Sequence, residues 1–73
     1  MPISVRAHIT GTVWKIEVAV GDEVTEGQTL VILESMKMEM PVESPSAGKV
    51  RAILTKEGAA VEEGAALLEL ADL

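Results

Sequence analysis

The 73-residue sequence contains no cysteine, tyrosine or phenylalanine, and only one histidine and one tryptophan. Zinc fingers, disulfide frameworks and thiol redox motifs are excluded, because the ligands and thiols that they require are missing. Six basic residues stand against twelve acidic ones, for a formal net charge of −6. Because a nucleic-acid surface needs clustered lysine and arginine to meet phosphates, this balance argues against nucleic acid and favours a protein partner.

Long apolar stretches are also missing. No segment is long enough to span a bilayer, and residues 1–6 carry no apolar region followed by a cleavage site. We therefore expect no membrane association and a cytoplasmic location, with which the lack of cysteine is compatible. The length predicts a single domain over residues 1–73, close to the lower limit for a fold that depends on one apolar core.

Short apolar segments bounded by glycine and charge predict strands. From Trp14 to Val20 the even positions are apolar and Lys15 and Glu17 alternate with them, which predicts a half-buried strand with Trp14 in the core. Segments 30–33, 50–54 and 66–70 are predicted as further strands, and segment 40–42 as an edge strand because Pro41 lacks an N–H donor. The alanine-rich segment 58–70 has helix propensity, but two glycines interrupt it and we interpret it as strand.

The sequence repeats itself with a shift of 37 positions. Identical residues keep one register without a gap: Val5 and Val42, Gly11 and Gly48, Val13 and Val50, Ile16 and Ile53, Gly21 and Gly58, Val24 and Val61, Glu26 and Glu63, Gly27 and Gly64, Leu30 and Leu67, and Leu33 and Leu70. Two copies are too few for a solenoid, so the repeat halves 2–34 and 39–71 are expected to close on each other. We infer a pseudo-twofold pair of interlocked sheets, joined by a hairpin over residues 35–38.

One lysine stands at the junction of the two halves, within Glu34-Ser35-Met36-Lys37-Met38-Glu39. Ser35 suits a tight hairpin, and the flanking strands would fix its register. Under the shift of 37, Lys37 has no counterpart within the chain, so we expect the hairpin tip and the chain termini at opposite ends of the molecule. A lysine at a hairpin tip is usually a solvated turn residue, but its two methionine neighbours favour presentation to a partner enzyme.

The neighbours of the lysine admit two interpretations each. If the turn is extended, Met36 and Met38 share one face opposite Lys37 and serve as partner contacts, whereas core filling is the alternative. Glu34 and Glu39 fit either partner contacts or solubilising charges. No second catalytic group accompanies the single histidine and no nucleophile has a base beside it, so an autonomous enzyme is not expected.

The same residues resemble a known family. Residues 34–39, followed by Pro41-Val42 and Pro45-x-x-Gly48-Lys49-Val50, are similar to the biotinyl domain of biotin-dependent carboxylases, in which the lysine of a Met-Lys-Met turn is modified. Segments 11–16, 20–24 and 27–30 match the same family, so the resemblance covers nearly the whole chain. It implies an all-β fold, a flattened β-barrel (barrel-sandwich hybrid) of two four-stranded antiparallel sheets, with Lys37 on an exposed hairpin.

Two departures from the family accompany the resemblance. Segment 8–10 has no proline where the family often has one, and the spacing from Trp14 to Gly27 leaves no room for the protruding insertion of some bacterial carriers. A long leader with a docking segment is not seen either. We therefore expect a self-standing carrier similar to the short biotin/lipoyl attachment proteins, with its way of docking to a carboxylase left open.

The resemblance also implies a function. The ε-ammonium of lysine is not a nucleophile at neutral pH, so its modification needs an enzyme that deprotonates it and supplies an activated acyl group. By resemblance, a biotin protein ligase transfers biotin from biotinoyl adenylate to Lys37, with Met36, Met38, Glu34 and Glu39 as recognition residues. The expected protein is a monomeric, non-catalytic biotin carboxyl carrier without a metal. Its partners are the biotin carboxylase and carboxyltransferase subunits of an acyl-CoA carboxylase such as acetyl-CoA carboxylase.

Two other classes of protein share the implied fold. A lipoyl carrier of an oxoacid dehydrogenase or glycine cleavage system would carry lipoate instead of biotin. Lipoyl domains usually place an acidic residue before the lysine and a small residue after it, so Met36 and Met38 favour biotin. A non-catalytic adaptor would use the fold without any modification, and the intact turn around Lys37 argues against it.

Overall fold

The computed structural model describes residues 3–71, and all regular elements among them are β-strands. No helix within this range is long and apolar enough to cross a membrane. The prediction that segment 58–70 is not a helix is confirmed, since it forms two strands. In chain order the strands are β1 Ile3–Arg6, β2 Gly11–Ile16, β3 Glu23–Val24, β4 Thr29–Ser35, β5 Met38–Glu43, β6 Gly48–Ile53, β7 Ala60–Val61 and β8 Ala66–Ala71.

The strands form two four-stranded sheets. One, which we call the hairpin sheet, has the order β5-β4-β2-β7, and the other, the opposite sheet, has the order β1-β8-β6-β3. All pairs are antiparallel. The predicted all-β fold is confirmed as a flattened sandwich, while the strand pairing of residues 3–71 does not close into a barrel. Segment 40–42 belongs to the edge strand β5, as predicted from Pro41.

The internal repeat organises the fold. The shift of 37 carries β1 to β4 onto β5 to β8, and therefore the hairpin sheet onto the opposite sheet. The strand registers obey the same shift, because Val13 pairs with Leu33 in one sheet and Val50 pairs with Leu70 in the other. This confirms the predicted pseudo-twofold repeat. The expectation that the termini lie opposite the hairpin tip concerns residues 1–2 and 72–73, which lie outside the described residues.

Backbone hydrogen bonds at the turns that lead into β3 and β7 obey the same symmetry. The N–H of Gly21 donates to the carbonyl of Val50 at 2.8 Å, and the N–H of Gly58 donates to the carbonyl of Val13 at 2.7 Å. Both glycines have positive φ, 97° and 90°, which glycine reaches without the penalty of a Cβ atom. Each glycine turn therefore extends the pairing of a short strand with the central strand of its own sheet: β3 with β6, and β7 with β2.

The core between the sheets is aliphatic. Its side chains come from both halves and are less than one tenth exposed: Val5, Ala7, Val13, Val18, Val24, Leu30, Val31, Leu33, Val42, Val50, Leu67, Leu68 and Leu70. Burying one such valine or leucine side chain completely contributes about 1.5–3 kcal/mol. A core of repeated valines and leucines stabilises the sandwich without any aromatic side chain.

The predicted core position of Trp14 is wrong. Val13 is 1% exposed, whereas Trp14 is 48% exposed. A β-bulge shifts the register, because Val13 pairs with Leu33 and the next paired residue, Lys15, pairs with Ile32. The extra residue changes the phase of the alternation, so Trp14 lies on the outer face. Past β2 the alternation also fails, since Val20 is 61% exposed.

Candidate functional site

The candidate lysine lies in the turn of the β4–β5 hairpin. Ser35 pairs with Met38, so Met36 and Lys37 are the two central residues of the turn. Both have positive φ, 53° and 65°. Positive φ at both positions is the signature of a type I′ turn, whose twist matches that of the adjoining strands. The predicted tight hairpin is present, and its turn is left-handed rather than extended, so the premise for placing both methionines on one face does not hold.

The residues of this turn are unfavourable for its conformation. Type I′ turns favour Asn-Gly or Gly-Gly, because the left-handed conformation costs an ordinary L-residue roughly 1–2 kcal/mol. Met36 and Lys37 both adopt it. The strand pairs from Thr29–Glu43 to Ser35–Met38 hold the turn in place. Strained non-glycine residues cluster at functional sites, where the surrounding structure supports them.

Little of the protein covers the turn. Lys37 is exposed, and no ion pair or side-chain hydrogen bond within residues 3–71 involves it. Met36 is 92% exposed and Met38 62% exposed, so the core-filling interpretation of the two methionines is wrong. An amine on an uncovered turn has room for an attached acyl group. These residues therefore fit a covalently attached prosthetic group.

Two carboxylates lie directly below the turn. Glu34 and Glu39 pair with each other across β4 and β5, and both are exposed. No cation within residues 3–71 forms an ion pair with either of them. Like charges on opposite strand positions are destabilising, so the local fold does not benefit from this arrangement. The two glutamates give the base of the hairpin a negative face.

A glycine supports the hairpin from the neighbouring strand. A Cβ atom at Gly11 would lie 2.5 Å from the backbone oxygen of Glu34, which is closer than real Cβ atoms approach. Gly11 thus allows β2 to lie tightly against β4 next to the turn. The sequence marked Gly11 as a repeat position and as part of a segment that matches the family, and its recurrence as Gly48 was the signal for a shared backbone constraint.

A surface groove among the described residues lies elsewhere. It has a volume of about 440 Å³, runs between β1 and β5, and is lined by residues such as Arg6, His8 and Pro41. None of residues 34–39 lines it. The lysine thus lies on the exposed turn outside this groove, where an attached group would be open to contact with other proteins.

The chain belongs to the biotin/lipoyl attachment family. The family model described as "Biotin-requiring enzyme" matches residues 3–70, which is nearly all of the described structure. This confirms the resemblance carried by the Met-Lys-Met segment. It makes the chain an attachment domain rather than a catalytic one, and covalent biotin is the cofactor that the family membership supports.

Similar proteins range from short attachment proteins to large carboxylases. The biotin/lipoyl attachment protein of Bacillus subtilis (strain 168) is 43% identical over 70 residues, which are 96% of this chain and 96% of that protein. The biotin carboxyl carrier protein of Streptococcus mutans is 45% identical over 65 residues, 89% of this chain and 50% of that protein. The structure of Kluyveromyces lactis urea carboxylase superposes with a TM-score of 0.92 at 38% identity, over 97% of this chain and 6% of that one.

Proposed function

We propose that this chain is a biotin carboxyl carrier in which Lys37 is the residue of biotin attachment. One observation carries the proposal: the fold holds Lys37 in a strained left-handed turn, exposed and without a partner within residues 3–71. The strain has no benefit for the fold, but it projects the amine away from both strands. Family membership supplies the chemical identity of the group. We assign residues 1–73 to one biotinyl domain, with halves 2–34 and 39–71 on either side of the hairpin.

The attachment step uses the amine as a nucleophile. The Nζ atom of Lys37 forms an amide bond with the acyl carbon of biotinoyl adenylate, and the bond from that carbon to the phosphate oxygen breaks. AMP leaves, and the protons lost by the ammonium pass to a base on the biotin protein ligase. The product carries one positive charge fewer at the tip. The hairpin contributes position only, since it holds the amine where an enzyme reaches it.

The carrier role follows from the tether. Bound biotin supplies a ureido ring that accepts a carboxyl group in one active site and releases it in another. A chain of about ten bonds beyond the lysine backbone gives a reach of roughly 12–15 Å. Because the tether raises the local concentration, both transfers become effectively intramolecular once the domain docks. We assign the two active sites to biotin carboxylase and carboxyltransferase subunits of an acyl-CoA carboxylase such as acetyl-CoA carboxylase.

The decisive measurement is the intact mass of the protein purified from its native cells, followed by mapping of the modified peptide. We expect a biotinoyl adduct on the peptide that contains Lys37. A lipoyl adduct at the same residue would support the second candidate, which the name of the Bacillus subtilis relative includes. An unmodified chain in cells that hold active biotin protein ligase would overturn the carrier proposal and leave the adaptor interpretation.

A further inference from the structure

The outer faces of the two sheets differ although their backbones correspond. On the hairpin sheet, three apolar residues form a row across β2, β4 and β5, which we call the apolar row: Trp14, Ile32 and Pro41. Under the shift of 37 their counterparts on the opposite sheet are polar: Arg51, Glu69 and Ser4. Comparing the two sheets therefore shows which outer-face side chains this backbone needs in order to fold.

Strand registers place the apolar row. Ile32 pairs with Pro41 on one side and with Lys15 on the other, and the bulge puts Trp14 beside Lys15 opposite Ile32. Trp14 is 48% exposed, Pro41 is exposed and Ile32 is half-buried. A tryptophan with half of its surface in water is an unfavourable residue for a free outer face, unless a partner covers it.

The opposite sheet shows that folding does not demand these side chains. There Glu69 pairs with Ser4 and Ala52, and Arg51 is the bulge residue. The same pairing and the same bulge thus form with a charged or polar residue at all three places. Because the fold accepts both sets, the apolar row serves a purpose other than folding.

Charge also distinguishes the two faces. The next row towards the turn on the hairpin sheet contains Glu34, which pairs with Glu39 and with Thr12. On the opposite sheet the counterparts of Thr12 and Glu34 are Lys49 and Ala71. The hairpin sheet thus combines an apolar row with two carboxylates that lack a cation within residues 3–71. A surface that is apolar at its centre and basic at its rim is the complementary partner.

We propose that the apolar row and the Glu34–Glu39 pair form the docking surface for the enzyme that acylates Lys37, and that this enzyme presents basic side chains to the two carboxylates and an apolar contact to Trp14. The inference rests on the proposed function. It adds to that function a face of the domain on which the modifying enzyme binds.

Reach favours the acylating enzyme over the carboxylase. The unmodified amine extends only about 6 Å from its backbone, so the enzyme must bring its own surface close to the turn and over the neighbouring strands. The apolar row begins at Pro41, four residues from Lys37 and about 14 Å along the strand. A standard interface of about 800 Å² per partner, roughly 28 Å across, includes both the turn and the row. The biotinylated arm is longer, so the carboxylase has less need to cover the sheet.

The repeat itself supplies the test variant. W14R/I32E/P41S places the opposite-sheet residues on the hairpin sheet, where the same backbone holds them. Initial rates of biotinylation are measured with purified biotin protein ligase over a range of carrier concentrations. We expect KM to rise about tenfold or more, as for the loss of an interface hot spot, and kcat to stay within about twofold. The control R51Q/E69Q/S4A, on the opposite face, keeps the wild-type KM.

Four further results decide the interpretation. E34Q/E39Q is expected to raise KM and to weaken its dependence on salt, because the two charges facing the enzyme are gone. An unchanged KM in the folded triple variant overturns the docking surface. Should that variant fail to fold, the KM of W14R alone decides in the same way, since Trp14 is not in the core. A wild-type chain that the ligase does not label overturns the proposed function instead.

Discussion

Lys37 combines an exposed amine with a backbone conformation that lysine seldom adopts. The side chain makes no ion pair or side-chain hydrogen bond within residues 3–71, so it contributes little to folding. This agrees with the proposal that its value to the protein comes from chemistry at the amine. This separation between fold and function at one residue is directly testable.

Lys37→Arg is expected to abolish biotin labelling and to leave the free energy of unfolding within about 0.5 kcal/mol of the wild-type value. Arginine keeps the charge and the length of the side chain, but its guanidinium is not acylated by the ligase. Intact mass measures the labelling, and thermal unfolding measures the stability. A large fall in Tm would show that Lys37 is structural.

Gly11 is expected to be the least replaceable glycine near the site. Gly11→Ala should destabilise the fold by about 1–3 kcal/mol, because its Cβ atom would lie 2.5 Å from the backbone oxygen of Glu34. Gly48→Ala is the matched control, where the corresponding approach to the oxygen of Ala71 is 2.8 Å and the loss should be smaller. Urea unfolding of both variants provides the comparison. Equal stability of wild type and Gly11→Ala would contradict the close packing of β2 on β4.

At the scale of elements, the β4–β5 hairpin combines two well-paired strands with a strained turn. Its strands pair from Thr29–Glu43 to Ser35–Met38 with one register shift, and they position the turn. The turn itself contains two left-handed residues without glycine. Local strain at the tip is thus supported by the ladder below it, which keeps the lysine projected.

The strain predicts that a better turn sequence stabilises the protein. Met36→Asn together with Lys37→Gly supplies the favoured residues of a type I′ turn, and should raise stability by about 1–2 kcal/mol while removing the site of labelling. The midpoint of urea unfolding measures the effect. Met38→Asn is the control, because Met38 lies in β5 and not in the turn, so no gain is expected. A lower midpoint for the double variant would show that the turn is not strained.

Sequence patterns predicted the positions of the strands better than they predicted which side chains of a strand face the core. Apolar segments bounded by glycine correctly indicated β4, β6 and β8, and Pro41 correctly indicated an edge strand. Trp14 was assigned to the core because its neighbours alternate regularly. The bulge between Val13 and Lys15 reverses that assignment, and it depends on pairing with β4, which no local pattern of β2 contains.

At the scale of the whole molecule, the two halves share one core. Leu33 and Leu70 are equivalent under the repeat, lie in different sheets and are both completely buried. Their side chains fill the same space between the sheets, so neither half has a core of its own. The fold should therefore unfold as a unit.

Leu33→Ala and Leu70→Ala should each cost about 2–5 kcal/mol and lower a single unfolding transition. The double variant should not fold, since a small domain has only about 5–15 kcal/mol of stability. Calorimetry and circular dichroism measure the transitions. Two separate transitions in either single variant would show that the halves are independent, and Val20→Ala, at an exposed position, is the control with little effect.

The amino-acid sequence alone determined the repeat, the all-β class and the lysine to which the functional hypothesis is attached. These depend on identity and spacing along the chain: the 37-residue shift, the apolar periods and the Met-Lys-Met segment. The tertiary structure decided the left-handed turn at Met36 and Lys37, the outward position of Trp14 and the alignment of Trp14 with Ile32 and Pro41. Those features arise from hydrogen bonds between strands that are distant in sequence, and only the register of the paired strands defines which side chains share a face.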